Sequence, residues 1–252
     1  LPRQSTPLTS CILSPMADPL FDCPSHWLAG TLEPDKLTGL IDHVGTGSTP
    51  GTTVEEYWDG AIPWLTPKEI TGGFKGLYVS STERNITESG LDNSSAQLMP
   101  PGTVMLSKRA PVGAVAVNTV PMATNQGFLN FVCGPKLRPI YLALWLKANI
   151  AYLDRVANGS TYPELYKTDL FEFQVSVPEI DVQDRIVEAV LSLEFAILLG
   201  APLEQTSTDL ESTRNIRTET GRLDATCSRL IPLLLSGQLD VRDFPKQNTI
   251  KP

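Results

Sequence analysis

FEFQVSVPEIDVQDRIVEAVLSLEFAILL, residues 171–199, is where the chain changes periodicity, and its reading decides the fold. From Phe171 to Val177 apolar and polar side chains alternate with period 2, as in a half-buried strand, and Pro178 stops it because proline cannot donate to a ladder. Beyond the proline, Val182, Ile186, Ala189, Val190, Leu193 and Ile197 recur at three- and four-residue spacing, which predicts an amphipathic helix over 182–199. Gly200-Ala-Pro202 interrupts it. A second helical stretch, 203–235, then carries Ile216, Leu223 and Leu230 spaced by seven, with Leu234 four residues beyond the last. That is a coiled-coil seam broken at Thr220, although a helical hairpin packed on the body fits the same spacing.

Upstream, residues 62–133 read as short strands between turns: Val104–Leu106 after a Pro100-Pro-Gly102 turn, Val112–Val117, and Phe128–Val132. Ile140–Leu153 reads as a buried helix. Residues 1–24, rich in Pro, Ser and Thr, read as a tail. The expected class is α+β: a globular body of short, mostly antiparallel strands and helices at 25–180, a long coiled-coil-like helical arm at 181–240, and a second tail at 241–252.

With 41% hydrophobic residues the chain can bury a substantial core, and no apolar run approaches the roughly 20 residues of a membrane helix. Leu1–Met16 lacks the apolar stretch of a secretory signal. Cys11, Cys23, Cys133 and Cys227 are scattered, and with only His26 and His43 beside them no metal site is expected. They read as free thiols in a reducing cytoplasm. The net charge of −8 weighs against a nucleic-acid partner, but it is unevenly spread. Residues 60–161 carry 9 basic and 5 acidic side chains, net +4, between two flanks of −6 each. A positive middle can meet phosphates while acidic flanks suppress unselective binding.

No HExxH, GxSxG or post-strand GxGxxG pattern is present, so no catalytic residue is expected. Gly45-Thr-Gly-Ser-Thr-Pro50-Gly51 is turn chemistry without the Gly-Lys-Ser/Thr ending of a nucleotide loop. Three polar segments stand out: Pro63–Ile70 after Glu56-Tyr-Trp-Asp-Gly60, Pro101–Ala110 running on to Ala123–Phe128, and Ala157–Tyr162. Each places amides, hydroxyls and cations at strand ends or in glycine-containing loops. Asn and Gln can match the adenine edge, Arg or Lys guanine, and small loops let backbone amides approach phosphate. Thr124-Asn-Gln126 reads equally well as a buried polar network that pins the fold.

These segments resemble the specificity subunits of type I restriction–modification systems. The resemblance runs in order through Gly47-Ser-Thr-Pro50, EYWDGAIPWLTPKEI (56–70), Ile86–Leu91, PPGTVMLSKRAPVGAVAVN (100–118), ATNQGF (123–128) and NGSTYPELYKTDL (158–170), and ends in Leu230–Leu239. It departs from the family at Val177-Pro-Glu-Ile-Asp-Val-Gln183, where members commonly carry a Pro-Pro-Leu turn and a Glu-Gln pair, and at Gly200-Ala-Pro202. The resemblance implies a target recognition domain that reads one half-site of double-stranded DNA, and an arm that docks modification subunits. Those subunits would hold S-adenosylmethionine and methylate adenine, with no cofactor in this chain. Whether a restriction subunit joins them stays open.

With one reader and one arm, the resemblance implies a cytoplasmic homodimer on a split palindrome. Its expected DNA contacts are Lys68, Lys75, Lys108 and Arg109, then Thr124, Asn125, Gln126, Gly159, Ser160 and Thr161. Its expected dimerisation and docking positions are Ile186, Val190, Leu193, Ile216, Leu223, Leu230 and Leu234. Two other classes stay open: a scaffold that docks a methyltransferase without binding DNA, and a self-contained nuclease.

Overall fold

The computed structural model describes residues 27–199 apart from 72–75, 110, 152, 154–156, 158–163 and 172–173. The chain divides into two units, Ala29–Val187 and Leu1–Leu28 with Glu188–Pro252. Ten strands are described: β1 (Leu28–Thr31), β2 (Ile41–Thr46), β3 (Trp58–Leu65), β4 (Tyr78–Val79), β5 (Asn85–Ile86), β6 (Val104–Lys108), β7 (Val112–Asn118), β8 (Ala123–Thr124), β9 (Phe128–Cys133) and β10 (Gln174–Val177). The helices are α1 (Pro67–Thr71), α2 (Glu88–Asp92), α3 (Pro139–Ala148), α4 (Lys167–Phe171) and α5 (Ile180–Leu199).

The main sheet has the order β2-β9-β6-β7-β4, antiparallel except for the β4–β7 pair. Its middle strands do not alternate. Val104, Met105, Leu106 and Ser107 are all buried because β6 is covered on both faces, so Val104–Leu106 is a continuous apolar run. One cover is α3, which opens with Pro139 at its first turn, where the missing N–H has no intrahelical partner to lose. Every residue from Tyr141 to Leu146 is buried. The helix expected over 140–153 is present with one break: α3 ends where the Asn149 side-chain amide donates to the Trp145 carbonyl (2.8 Å), and Ile150, Ala151 and Leu153 are helical again beyond it.

A second, smaller sheet, β5-β3-β8, packs its own core of Trp58, Trp64, Ile86 and Ala123. Of the strand expected at 171–177, Gln174–Val177 forms β10, while Phe171 ends α4. There the Asp169 carboxylate accepts the Tyr166 N–H (2.8 Å) and favours a helical turn.

Two buried amides tie the segments together. Asn118 Oδ1 accepts the Thr103 N–H (2.7 Å), while its Nδ2 donates to the carbonyls of Pro100 (2.9 Å) and Val120 (2.8 Å). The Pro-Pro-Gly turn is thereby locked to the end of β7. Gln183, on the first turn of α5, accepts the Arg138 N–H (2.8 Å) and donates to the carbonyls of Lys136 (2.9 Å) and Pro178 (2.8 Å). Beside it, Arg138 and Asp184 form a two-pronged ion pair at 2.7 and 2.8 Å. The segment that departs from the family pattern thus supplies the clamp that seats the helix.

Ile186 and Val190 correct an expectation. They are 1% and 0% exposed, so their apolar surface is already spent inside the chain and is not on offer to a second copy. The Leu193 side chain and Ile216, Leu223, Leu230 and Leu234 lie outside the described residues, as do both tails and the second helical stretch. Among the described residues no helix is long and apolar enough to cross a membrane.

Cys133, at the end of β9, has its thiol pushed up from 9.0 to about 12 by burial, with the Asp42 carboxylate adding to the shift. At pH 8 its thiolate fraction is reduced roughly a thousandfold against a free thiol, so alkylation followed by peptide mass spectrometry should spare Cys133 until the protein unfolds. The folded state holds this proton more tightly than the unfolded one. The stability from burial is therefore complete below pH 9 and lost as pH rises towards about 12.

Candidate nucleic-acid interface

The strand ends on one side of the two sheets are stitched together by backbone hydrogen bonds. The loop 47–51 leaves β2 and meets the end of β8, where the Ser48 N–H donates to the Thr124 carbonyl (3.0 Å). Gly47 lies so close that a Cβ there would overlap the carbonyl oxygens of Thr124 and Asn125. From β3, the Leu65 carbonyl accepts the Asn125 N–H (3.0 Å), and the Gly127 carbonyl accepts the Lys108 N–H at the end of β6 (2.8 Å). Lys108 in turn offers its carbonyl to the Leu165 N–H (2.9 Å). Four loops that are far apart in sequence therefore form one surface.

Tryptophans brace this surface from below. The Trp64 indole N–H donates to the Ser48 carbonyl (2.9 Å) and that of Trp58 to the Gly51 carbonyl (3.2 Å). On top, the Thr49 hydroxyl donates to Gln126 Oε1 (2.6 Å). The exposed Gln126 amide is thereby anchored through its oxygen, and that bond does not use its Nε2 donors. Asn125 turns inward instead: its Oδ1 accepts the Gly127 N–H (2.8 Å), which shapes the loop.

The other expected contacts divide three ways. Lys68 is exposed on α1, whose first turn abuts Gly127 through Pro67. That turn is fixed by Glu69, whose Oε1 accepts both the backbone N–H and the hydroxyl of Thr66 (2.9 Å each). Lys108 and Arg109 reach the same surface but share one carboxylate, Glu164, at 2.8 and 3.7 Å. Lys108 keeps 16% of its side chain exposed and Arg109 40%, so the arginine is the more available of the two. Thr124 corrects an expectation: it is fully buried, and its hydroxyl accepts from Asn130 Nδ2 (2.9 Å), so it supports the loop and cannot touch a duplex directly. Lys75, Gly159, Ser160 and Thr161 lie outside the described residues.

Sequence reasoning missed Thr49, Glu164 and the tryptophan pair. Thr49 sits inside the quoted Gly-Ser-Thr-Pro turn, and only its partner 77 positions away reveals its use. Among the described residues no group of three His, Cys, Asp or Glu side chains is placed to hold a metal ion.

Comparison with known proteins points the same way. Residues 31–198 match the family model described as the type I restriction modification DNA specificity domain. A specificity subunit of the type I restriction enzyme MjaIX from Methanocaldococcus jannaschii is 40% identical over 148 residues, 58% of this chain and 34% of that protein. The EcoR124I/EcoR124II specificity subunit of Escherichia coli is 29% identical over 160 residues, 61% of this chain and 39% of that protein. The chain thus spans well under half the length of these relatives. The crystal structure of the HsdS subunit from Thermoanaerobacter tengcongensis shares the fold with a TM-score of 0.52 at 19% identity, covering 90% of this chain and 48% of that one. A chain from a type I R-M complex gives 0.54 at 19% identity, with 90% and 49% covered.

Proposed function

This chain belongs to the type I restriction modification DNA specificity family, and we propose that it reads one half of a split DNA target and presents it to partner modification subunits. The observation that supports this reading is the convergence of the loops at 47–51, 65–68, 108–109 and 124–127 on one surface. There Gln126 and Thr49 offer a hydrogen-bonding pair, and Lys68 and Arg109 offer charge. An anchored amide suits the adenine edge in a major groove, and flanking cations suit the phosphates beside it. The chain supplies specificity and no chemistry; adenine methylation belongs to the partners, which bring S-adenosylmethionine. The same assembly offers a place for a restriction subunit, and a cytoplasmic location fits the DNA target.

Mapping methylated adenines in the source genome, with and without the gene, tests this. A split motif that vanishes on deletion is the expected result, and an unchanged map would overturn the reading. A palindromic motif would mean two copies of this reader in a homodimer, an asymmetric one two different readers.

Glu164 favours a second reading, a scaffold that docks a methyltransferase without gripping DNA, because it neutralises two cations of the surface. Glu164→Gln separates the two. If the surface grips DNA, freeing Lys108 and Arg109 should raise affinity for duplex and steepen the dependence of log K on log salt by up to about 0.9 per cation. If the chain is a scaffold, neither quantity changes.

A further inference from the structure

Arg84 lies outside every feature used so far. Its guanidinium carbon sits 3.6 Å from the ring centroid of Trp58 and 5.9 Å from that of Trp64. The two indoles meet edge to face, with centroids 5.1 Å apart and planes at 85°. A guanidinium held over an indole keeps its plane and orientation, which a lysine ammonium at the same place could not do. The rings cannot swing away, since their N–H groups are engaged by the carbonyls of Ser48 and Gly51.

The segment carrying Arg84 is held as firmly. The Arg84 carbonyl accepts the Trp64 N–H (3.1 Å) and the Thr82 hydroxyl (2.8 Å). The Glu83 N–H next to it donates to Glu69 Oε2 (2.7 Å), the same carboxylate that fixes the first turn of α1. Yet the Arg84 side chain is exposed and forms no ion pair with a carboxylate of the described residues, unlike Lys108 and Arg109. An exposed cation with no carboxylate partner among the described residues, set on a rigid platform, is arranged to receive an anion from outside the chain.

The form of that anion follows from the geometry. The Arg84 guanidinium is tied to the Trp58 ring, 3.6 Å from its centroid, whereas reading a base requires a side chain free to project into the groove. A phosphodiester passing over the surface needs only a fixed donor edge. We propose that Arg84 is a phosphate anchor of the DNA-reading face, set by the Trp58–Trp64 platform beside the loop 47–51. It rests on the function proposed above, and it orients the duplex without choosing its sequence.

The test measures binding of the full chain, assembled with its modification subunits, to a random-sequence duplex over a range of salt. Arg84→Gln should make the slope of log K against log salt shallower by about 0.9 while leaving the methylation motif unchanged. Arg84→Lys should keep the slope but bind several-fold more weakly, because the charge is retained and its placement lost. An unchanged slope in Arg84→Gln, with the wild type binding normally, overturns the anchor and leaves the function standing. A loss confined to one base position of the motif also overturns it, because that is the behaviour of a base reader. Failure of the wild-type assembly to bind duplex at all overturns both.

Discussion

Asn118→Ala should destabilise the domain by about 3–5 kcal/mol, near the top of the range for single substitutions. Asn118 is 1% exposed, and its amide accepts the Thr103 N–H and donates to the Val120 carbonyl. Truncation strands the buried Thr103 N–H away from water and takes the donor from the half-buried Val120 carbonyl, and each such orphan costs roughly 1–3 kcal/mol. For a domain of this size the thermal midpoint should fall by of order 10 °C. Asn118→Asp should fare no better, since it retains the acceptor but loses both donors and buries a charge. A fall of only a degree or two in either variant would show that water replaces the amide. The damage should also reach the interface, because the segment 118–122 that Asn118 anchors leads directly into β8 and the 124–127 loop.

Gly47→Val should have the largest effect on binding itself. The space a side chain would need is filled by the carbonyl oxygens of Thr124 and Asn125, which are backbone atoms and cannot rotate aside. The strain of such overpacking is about 1–3 kcal/mol. Relief must push the 47–51 loop off β8, which breaks the Ser48–Thr124 bond and separates Thr49 from Gln126. Duplex affinity should drop by roughly tenfold or more, a factor that each 1.4 kcal/mol of misplacement supplies. Gly51→Ala is the matched control: a Cβ there would find its nearest neighbour, Val54, at 3.4 Å, so both folding and binding should be nearly unaffected. Equal losses in the two variants would contradict the assignment.

The elements that were legible in the sequence are those set by local periodicity. Val104–Lys108, Val112–Asn118 and Phe128–Cys133 announce themselves as apolar runs between turns, and α5 by its three- and four-residue spacing. Whether a polar residue faces outward was not legible, because distant partners decide it. Lys108 and Arg109 look available until Glu164 folds back onto them. Thr124 looks like a loop residue until β8 pairs with β3 and Asn130 takes its hydroxyl. Ile186 and Val190 display a partner-seeking pattern that the chain satisfies by itself. In each case the sequence shows the chemistry of the side chain, and a contact many residues away sets its use.

The central claim, that DNA lies on the loop end built from 47–51 and 124–127, is tested most directly by site-specific photo-crosslinking. A photoreactive residue at Gln126 would be compared with one at Leu37, an exposed position in the turn that precedes β2, at the far end of the β2–β9 ladder. With the assembled protein on its target duplex, crosslinks should form from position 126 and not from 37. Crosslinks from 37 with none from 126 would contradict it.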